Sequence, residues 1–182
     1  MPFYPGPGLG GHCIPIDPFY LTWKAREYDI STRFIELAGE VNTAMPRYVV
    51  DKLAGALDRR RGKGLKEARI LLIGVAYKKN IADTRESPSF KLMELLEKRG
   101  AAVAYHDPLV PEIPRLREHP DYCGRRSVAL NPALLATFDA ALICTDHDAV
   151  DYRALVAHCK LVVDTRNACV RAGIEAENVV KA

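Results

Sequence analysis

The chain has 182 residues, a net charge of +3, and 48% hydrophobic and 27% charged side chains. That length suits one domain, or one plus an appendage, and the composition belongs to a globular chain that can bury a substantial core. The mild charge permits phosphate-bearing small molecules, but no basic stripe interleaves with aromatics as a nucleic-acid surface requires, and no apolar run approaches the ~18 residues of a membrane-spanning helix.

Five cysteines (13, 123, 144, 159, 169) form no C-x-x-C pair and no metal-ligand spacing. An odd, scattered set reads as reduced thiols in a cytosol. The first residues are rich in proline and glycine, with no basic segment leading into an apolar one, so no signal peptide is expected and the chain reads as cytoplasmic. The one basic run, Arg59-Arg60-Arg61-Gly62-Lys63, falls where a helix ends, and cations there complement the helix dipole.

In chain order, Tyr4 to Tyr20 comes first, with Gly6, Gly8, Gly10 and Gly11 and the prolines 5, 7, 15 and 18 around Cys13 and Asp17. Its apolar residues follow neither a two-residue nor a 3.6-residue period. Proline fixes φ and glycine admits close backbone approach, so the stretch predicts a stiff loop with exposed amides. Such a loop either presents Cys13 to a substrate or is a structural turn with an incidental thiol. Gly6 to Gly11 formally matches G-x-G-x-x-G, but no strand precedes it and prolines interrupt it, so it is not a dinucleotide fingerprint.

Phe19–Tyr28 predicts a short amphipathic helix, and Asp29–Thr32 a break. Residues 33 to about 61 carry Phe34, Leu37, Val41, Met45, Tyr48, Val49, Leu53 and Leu57 at helical spacing, interrupted by Pro46, which predicts a kink or two helices meeting near Ala44. A helix of that length is about 40 Å long. It either bridges domains, packs against a copy of itself, or lies across its own sheet.

From Lys66 the pattern becomes strand–helix alternation. Strands are predicted at Ala68–Ala76, Ala101–His106, Phe138–Cys144 and Leu161–Asp164, with a weak one at Ser127–Leu130. Helices are predicted at Ser89–Arg99 (Ser87 as N-cap, Pro88 opening, Gly100 closing), Asn131–Ala136 and Ala149–His158. This alternation predicts an α/β fold in which the long helix precedes a Rossmann-like, doubly wound, mostly parallel sheet, with ligands outside the carboxyl ends of its strands. Tyr77–Asn80 with Asp83–Ser87, Thr145–His147 and Asp164–Asn167 follow those strand ends. Cations placed there suit an anionic ligand, and arginine suits bidentate phosphate contacts. Each cation taken alone is also consistent with a solvated loop.

Three blocks, G-G-H-C-I-P-I-D at 10–17, A-Y-K-K-N-I-A-D-T-R-E-S-P at 76–88 and D-T-R-N at 164–167, together resemble the UDP-glucose/GDP-mannose dehydrogenase family, in the family's order. Ile16 before the aspartate and His12 before the cysteine are similar to its N-acetylhexosamine branch, above all the UDP-N-acetylglucosamine 6-dehydrogenases. The resemblance implies an NAD-dependent two-step oxidation of a sugar C6 alcohol to the uronic acid, through a thiohemiacetal and a thioester on Cys13. It implies that Asp17 serves the hydrolytic water, that Phe3, Tyr4, Gly6, Gly10, Lys78 and Arg166 contact the UDP-sugar, and that Arg85 reaches NAD. It further implies a cysteine loop (1–18), a central helical dimerisation region (19–63) giving a homodimer, and a UDP-sugar-binding domain (64–182). The family's cofactor fingerprint, catalytic glutamate and Lys/Asn pair have no match in this sequence. The expectation is therefore a portion that lacks the N-terminal NAD-binding domain and is inactive alone. The open alternatives are a non-catalytic UDP-sugar-binding or dimerisation fragment, or an enzyme for another UDP-hexose or GDP-mannose.

Overall fold

The computed structural model describes residues 4–182. Five short strands form one sheet: β1 (Arg69–Ile73), β2 (Ala102–His106), β3 (Ala140–Ile143), β4 (Val162–Asp164) and β5 (Val179–Lys181). They lie in the order β2-β1-β3-β4-β5, and every pairing is parallel. The fold expected from the alternation is present.

Side chains of a strand alternate between faces, and each face here has its own apolar cluster. Ile70 and Leu72 of β1, Leu142 of β3 and Val163 of β4 pack with Leu53 and Leu57 of α2 (Arg33–Arg61) and Leu92 and Met93 of α3 (Pro88–Lys98). Leu71, Ile73, Ile143 and Val162 face the other way. They meet Leu135 of α4 (Pro132–Leu135), Leu155 of α5 (Tyr152–His158) and Cys169 of α6 (Ala168–Arg171). Helices therefore cover both faces. Strand order reverses between β1 and β3, and open α/β sheets bind ligands outside the strand ends at such a point.

Helix starts follow local chemistry. The Ser87 side chain accepts from the Ser89 amide with Pro88 at the first helical position, Asn131 caps α4 through the Leu134 amide, and Asp151 caps α5 through the Ala154 amide. Short α6, β5 and a 3-10 turn at Pro120–Tyr122 have no counterpart in the sequence reading.

Four expectations are corrected. The stiff loop ends earlier than its glycines and prolines imply, because α1 (Cys13–Arg26) starts at the cysteine itself. Pro15 is accommodated there because the first-turn amides of a helix have no intrahelical partner to lose. The same helix is not amphipathic in its packing: Thr22 is its one buried residue, while Tyr20, Leu21 and Trp23 are exposed. Of the two outcomes expected at Pro46, the meeting of two separate helices is overturned: α2 runs unbroken for 29 residues, with Pro46 inside it and buried. Ser127–Leu130 is not a strand. Val128 donates one hydrogen bond to Tyr105 O and Arg126 makes one isolated bridge to Glu112, too few for a ladder.

Candidate functional site at the strand ends

The glycine loop folds down onto the carboxyl edge of the sheet. Gly6 lies directly on the Arg166 guanidinium, so closely that a Cβ there would overlap Nη1. Gly10 lies on the β1–α3 loop, where a Cβ would stand 2.5 Å from Glu86 O and 2.7 Å from Tyr77 Cβ. Gly10, which meets backbone, needs glycine for approach rather than for flexibility, whereas Gly6 meets the end of the Arg166 side chain. The Gly11 amide donates to Arg85 O at 3.1 Å, and the Leu9 amide donates to Asn42 Oδ1 of α2 at 2.7 Å. The loop is thus held by α2 on one side and by the strand-end loops on the other.

Cys13 opens α1 with an exposed thiol. Asp17, also exposed, follows four residues on, one helical turn away on the same face. Burial pushes the thiols of Cys144 and Cys169 up to about 12 and that of Cys159 to about 11. Those three sulfurs are inert at neutral pH. Cys13 and Cys123 are the exposed pair, and Cys13 acts through space on Arg85.

Arg166 follows β4 in a turn built from Asp164. Its amide donates to Asp164 Oδ1 at 2.9 Å, Asp164 Oδ2 accepts from Cys169 N at 2.8 Å, and the Arg166 Nε donates to Cys144 O at 2.7 Å. Burial lowers the Arg166 pKa from the ordinary arginine value, with Asp146 opposing through space. Among the described residues no carboxylate forms an ion pair with it. A partly desolvated guanidinium in that state favours an anionic ligand.

The other cations differ in availability. Lys78 is exposed on the β1–α3 loop, and its side chain makes no hydrogen bond or ion pair among the described residues. Lys79 pairs with Asp148 at 2.6 Å. Arg85 is exposed and held by Asp83, with Nη2–Oδ2 at 2.6 Å and Nε within 3.0 Å of both carboxylate oxygens. That contact raises the Arg85 pKa and lowers that of Asp83. Arg85 faces a groove of about 1130 Å³ that also touches Leu9, His12, Asn42 and Pro46. Tyr4 is exposed beside the loop, and Phe3 lies outside the described residues.

The structure thus unites Gly6 with Arg166, Gly10 with the Lys78 loop, and the Cys13 loop with Arg85. The sequence reading passed over Asn42 and Asp107 and named Tyr77 and His147 only within strand-end clusters, without a role; all four shape this edge. Asp107 Oδ2 accepts from the Val75 and Ala76 amides at 2.8 and 3.0 Å and from His147 Nε2 at 3.2 Å. A signal was present, since Asp107 and His147 each fall just beyond a strand.

Residues 71–171 match the model of the UDP-glucose/GDP-mannose dehydrogenase family, UDP binding domain, and residues 1–44 match the central domain of the same family. A UDP-N-acetyl-D-mannosamine dehydrogenase of Methanococcus maripaludis strain C7 is 33% identical over 171 residues, 90% of this chain and 36% of the relative. An NDP-N-acetyl-D-galactosaminuronic acid dehydrogenase of Ralstonia solanacearum is 34% identical over 166 residues, 89% of this chain and 36% of the relative. The solved UDP-D-ManNAc dehydrogenase of Pyrococcus horikoshii superposes with a TM-score of 0.72 at 29% identity, covering 91% of this chain and 37% of that one. The chain thus spans a little over a third of the length of these relatives.

Proposed function

The chain belongs to the UDP-glucose/GDP-mannose dehydrogenase family, and from that premise we propose that it is the nucleophile-bearing, UDP-sugar-binding portion of an NAD-dependent nucleotide-sugar 6-dehydrogenase. The observation that carries this reading is the packing of the Cys13 loop, through Gly6, onto the unpaired and partly buried Arg166. On this reading the exposed Cys13 thiol is the nucleophile and Arg166 the anion site beside it. The substrate is a UDP-N-acetylhexosamine. UDP-N-acetylglucosamine is the first candidate from Ile16 and His12, and the names of the relatives extend the class to the manno and galacto sugars.

Oxidising a primary alcohol to a carboxylate removes two hydrides from one carbon, and two molecules of NAD, bound in turn, would supply the acceptors, one hydride each. This chain's part is the step between them. The Cys13 thiolate adds to the aldehyde carbon, forming a C–S bond while the carbonyl oxygen takes a proton. The resulting tetrahedral carbon can give up its second hydride and become a thioester. Water then attacks the acyl carbon, the C–S bond breaks, and the thiolate leaves as the acid forms. Asp17, one helical turn from Cys13, orders or activates that water. Lys78 and Arg166 hold the diphosphate, Tyr4, Gly6 and Gly10 line the sugar side together with Phe3, and Arg85 offers its exposed guanidinium to a cofactor phosphate. The described residues fit NAD at that one contact and contain no strand–glycine–helix cradle for the rest of it. The exposed apolar residues of α2, Phe34, Leu37 and Val41, support a homodimer through that helix.

An NMR titration with UDP tests the reading. Shifts at the Gly6, Lys78 and Arg166 amides are expected, with affinity reduced about tenfold or more in Arg166→Met, because a charge-assisted contact is lost. Unperturbed amides at millimolar UDP, or unchanged affinity in that variant, would overturn it.

A further inference from the structure

Asp107 and His147 form a pair whose side chains are 0% exposed. Neither has a part in the chemistry above. Asp107 Oδ1 accepts from the Leu109 and Val110 amides at 2.9 and 3.1 Å, so its two oxygens receive four backbone donors and the His147 ring. On the far side of that ring the Asn80 amide donates to Nδ1 at 3.0 Å. Nδ1 therefore carries no proton, and the ring proton sits on Nε2, where it is given to Asp107.

These bonds converge on one segment. Val75, Ala76 and Asn80 bracket Tyr77 and Lys78, and the Asn80 side chain is clamped separately by Asp148, its Nδ2 donating to Oδ2 at 2.6 Å and its Oδ1 accepting the Asp148 amide at 3.0 Å. Thr145 Oγ1 also donates to Ala76 O at 2.6 Å. Asn80 sits at φ +60°, a left-handed conformation that asparagine adopts more readily than most residues. The ends of β2 and β3 thus impose the shape of the loop that follows β1, and Gly10 of the cysteine loop rests on Tyr77 of that same loop.

We propose that Asp107 and His147 are positioning residues: through the Asn80 amide they fix the Tyr77–Asn80 loop, setting both Lys78 for the diphosphate and the seat on which the Cys13 loop docks. The inference rests on the reading of Lys78 as a nucleotide contact, and its second consequence, the docking of the cysteine loop, can be measured without any ligand.

Three variants at one position separate positioning from bulk stability. His147→Phe keeps the ring and removes both polar atoms. His147→Asn places an acceptor near Nδ1, and His147→Gln a donor near Nε2. UDP affinity and amide hydrogen exchange at Asn80 and Gly11 are the readouts. About a tenfold loss of affinity is expected for His147→Phe and His147→Gln, as befits an orphaned buried donor, with weakened protection at both amides. His147→Asn should stay within about threefold of the wild type. Should His147→Phe not fold, the Asn and Gln variants decide alone. Equal behaviour of those two variants, or wild-type protection at Asn80 and Gly11 in both the Phe and Gln variants, would overturn the inference. A wild-type chain that does not bind UDP would instead sink the nucleotide reading, while amide protection would still decide the positioning.

Discussion

The two halves of α2 share one helical period and have opposite fates. Val49, Val50, Leu53 and Leu57 are all 0% exposed against the sheet, whereas Phe34 is 89% and Leu37 and Val41 are each 55% exposed. The apolar spacing reports that a helix has a face and is silent on what covers it. In the second half the cover is β1, β3, β4 and α3 of the same chain. In the first half α1 lies alongside, yet its own Trp23, Leu21 and Tyr20 are also exposed. The sheet unit is a closed core. The N-terminal arm is a second surface joined to it by one continuous helix, and the cysteine loop sits at the join through the Leu9–Asn42 hydrogen bond.

The contrast breaks most sharply at Leu53. Replacing it with Ala should cost about 2–5 kcal/mol in urea denaturation, the range for a fully buried leucine that leaves a cavity. A loss under ~1 kcal/mol would mean that this half of α2 is not part of the core.

A smaller effect is expected from acid. Burial alone would raise the Asp107 pKa, yet the His147 hydrogen bond and the backbone amides outweigh it and hold the carboxyl near 2. Its folded value lies below the unfolded value of about 3.9, so its contribution is complete above about pH 4 and is lost as pH falls through 2. That contribution is roughly 2 kcal/mol. Denaturation midpoints measured from pH 5 to pH 2 should fall more steeply for the wild type than for Asp107→Asn. Parallel curves would remove Asp107 as a cause.

The smallest effect on folding belongs to the arm. Phe34→Ser combined with Val41→Ser should change unfolding free energy of the monomer by no more than about 0.5 kcal/mol, as for exposed positions elsewhere. The same variant should weaken self-association in sedimentation velocity. Association equal to that of the wild type would rule out a dimer through this face.

Much of the sheet unit was legible in the order of its residues. Continuous apolar runs marked β1 and β3, and Ser87-Pro88 marked a helix start, because caps and buried parallel strands are decided within a few residues of chain. Ser127–Leu130 misled because a run of apolar residues beside β2 needs a partner ladder, and only one strand-like bond formed. The four-residue α6 and three-residue β5 went unread, although α4 and β4 are equally short and were read. At the site, the sequence by itself determined the chemistry on offer: a thiol four residues from a carboxylate, a glycine-rich loop that admits close backbone approach, and cations after strands.

Only the tertiary structure decided which of those groups work together. Lys79 and Arg85 each pair with a carboxylate, Asp148 and Asp83, while Lys78 and Arg166 carry no such ion pair among the described residues. Asp107 and His147, 40 residues apart in sequence, meet as one buried pair. The physical reason is that pairing and desolvation depend on distances between strand ends. Those distances are set by sheet order and packing across the whole core, while caps, turns and strand propensity are settled locally.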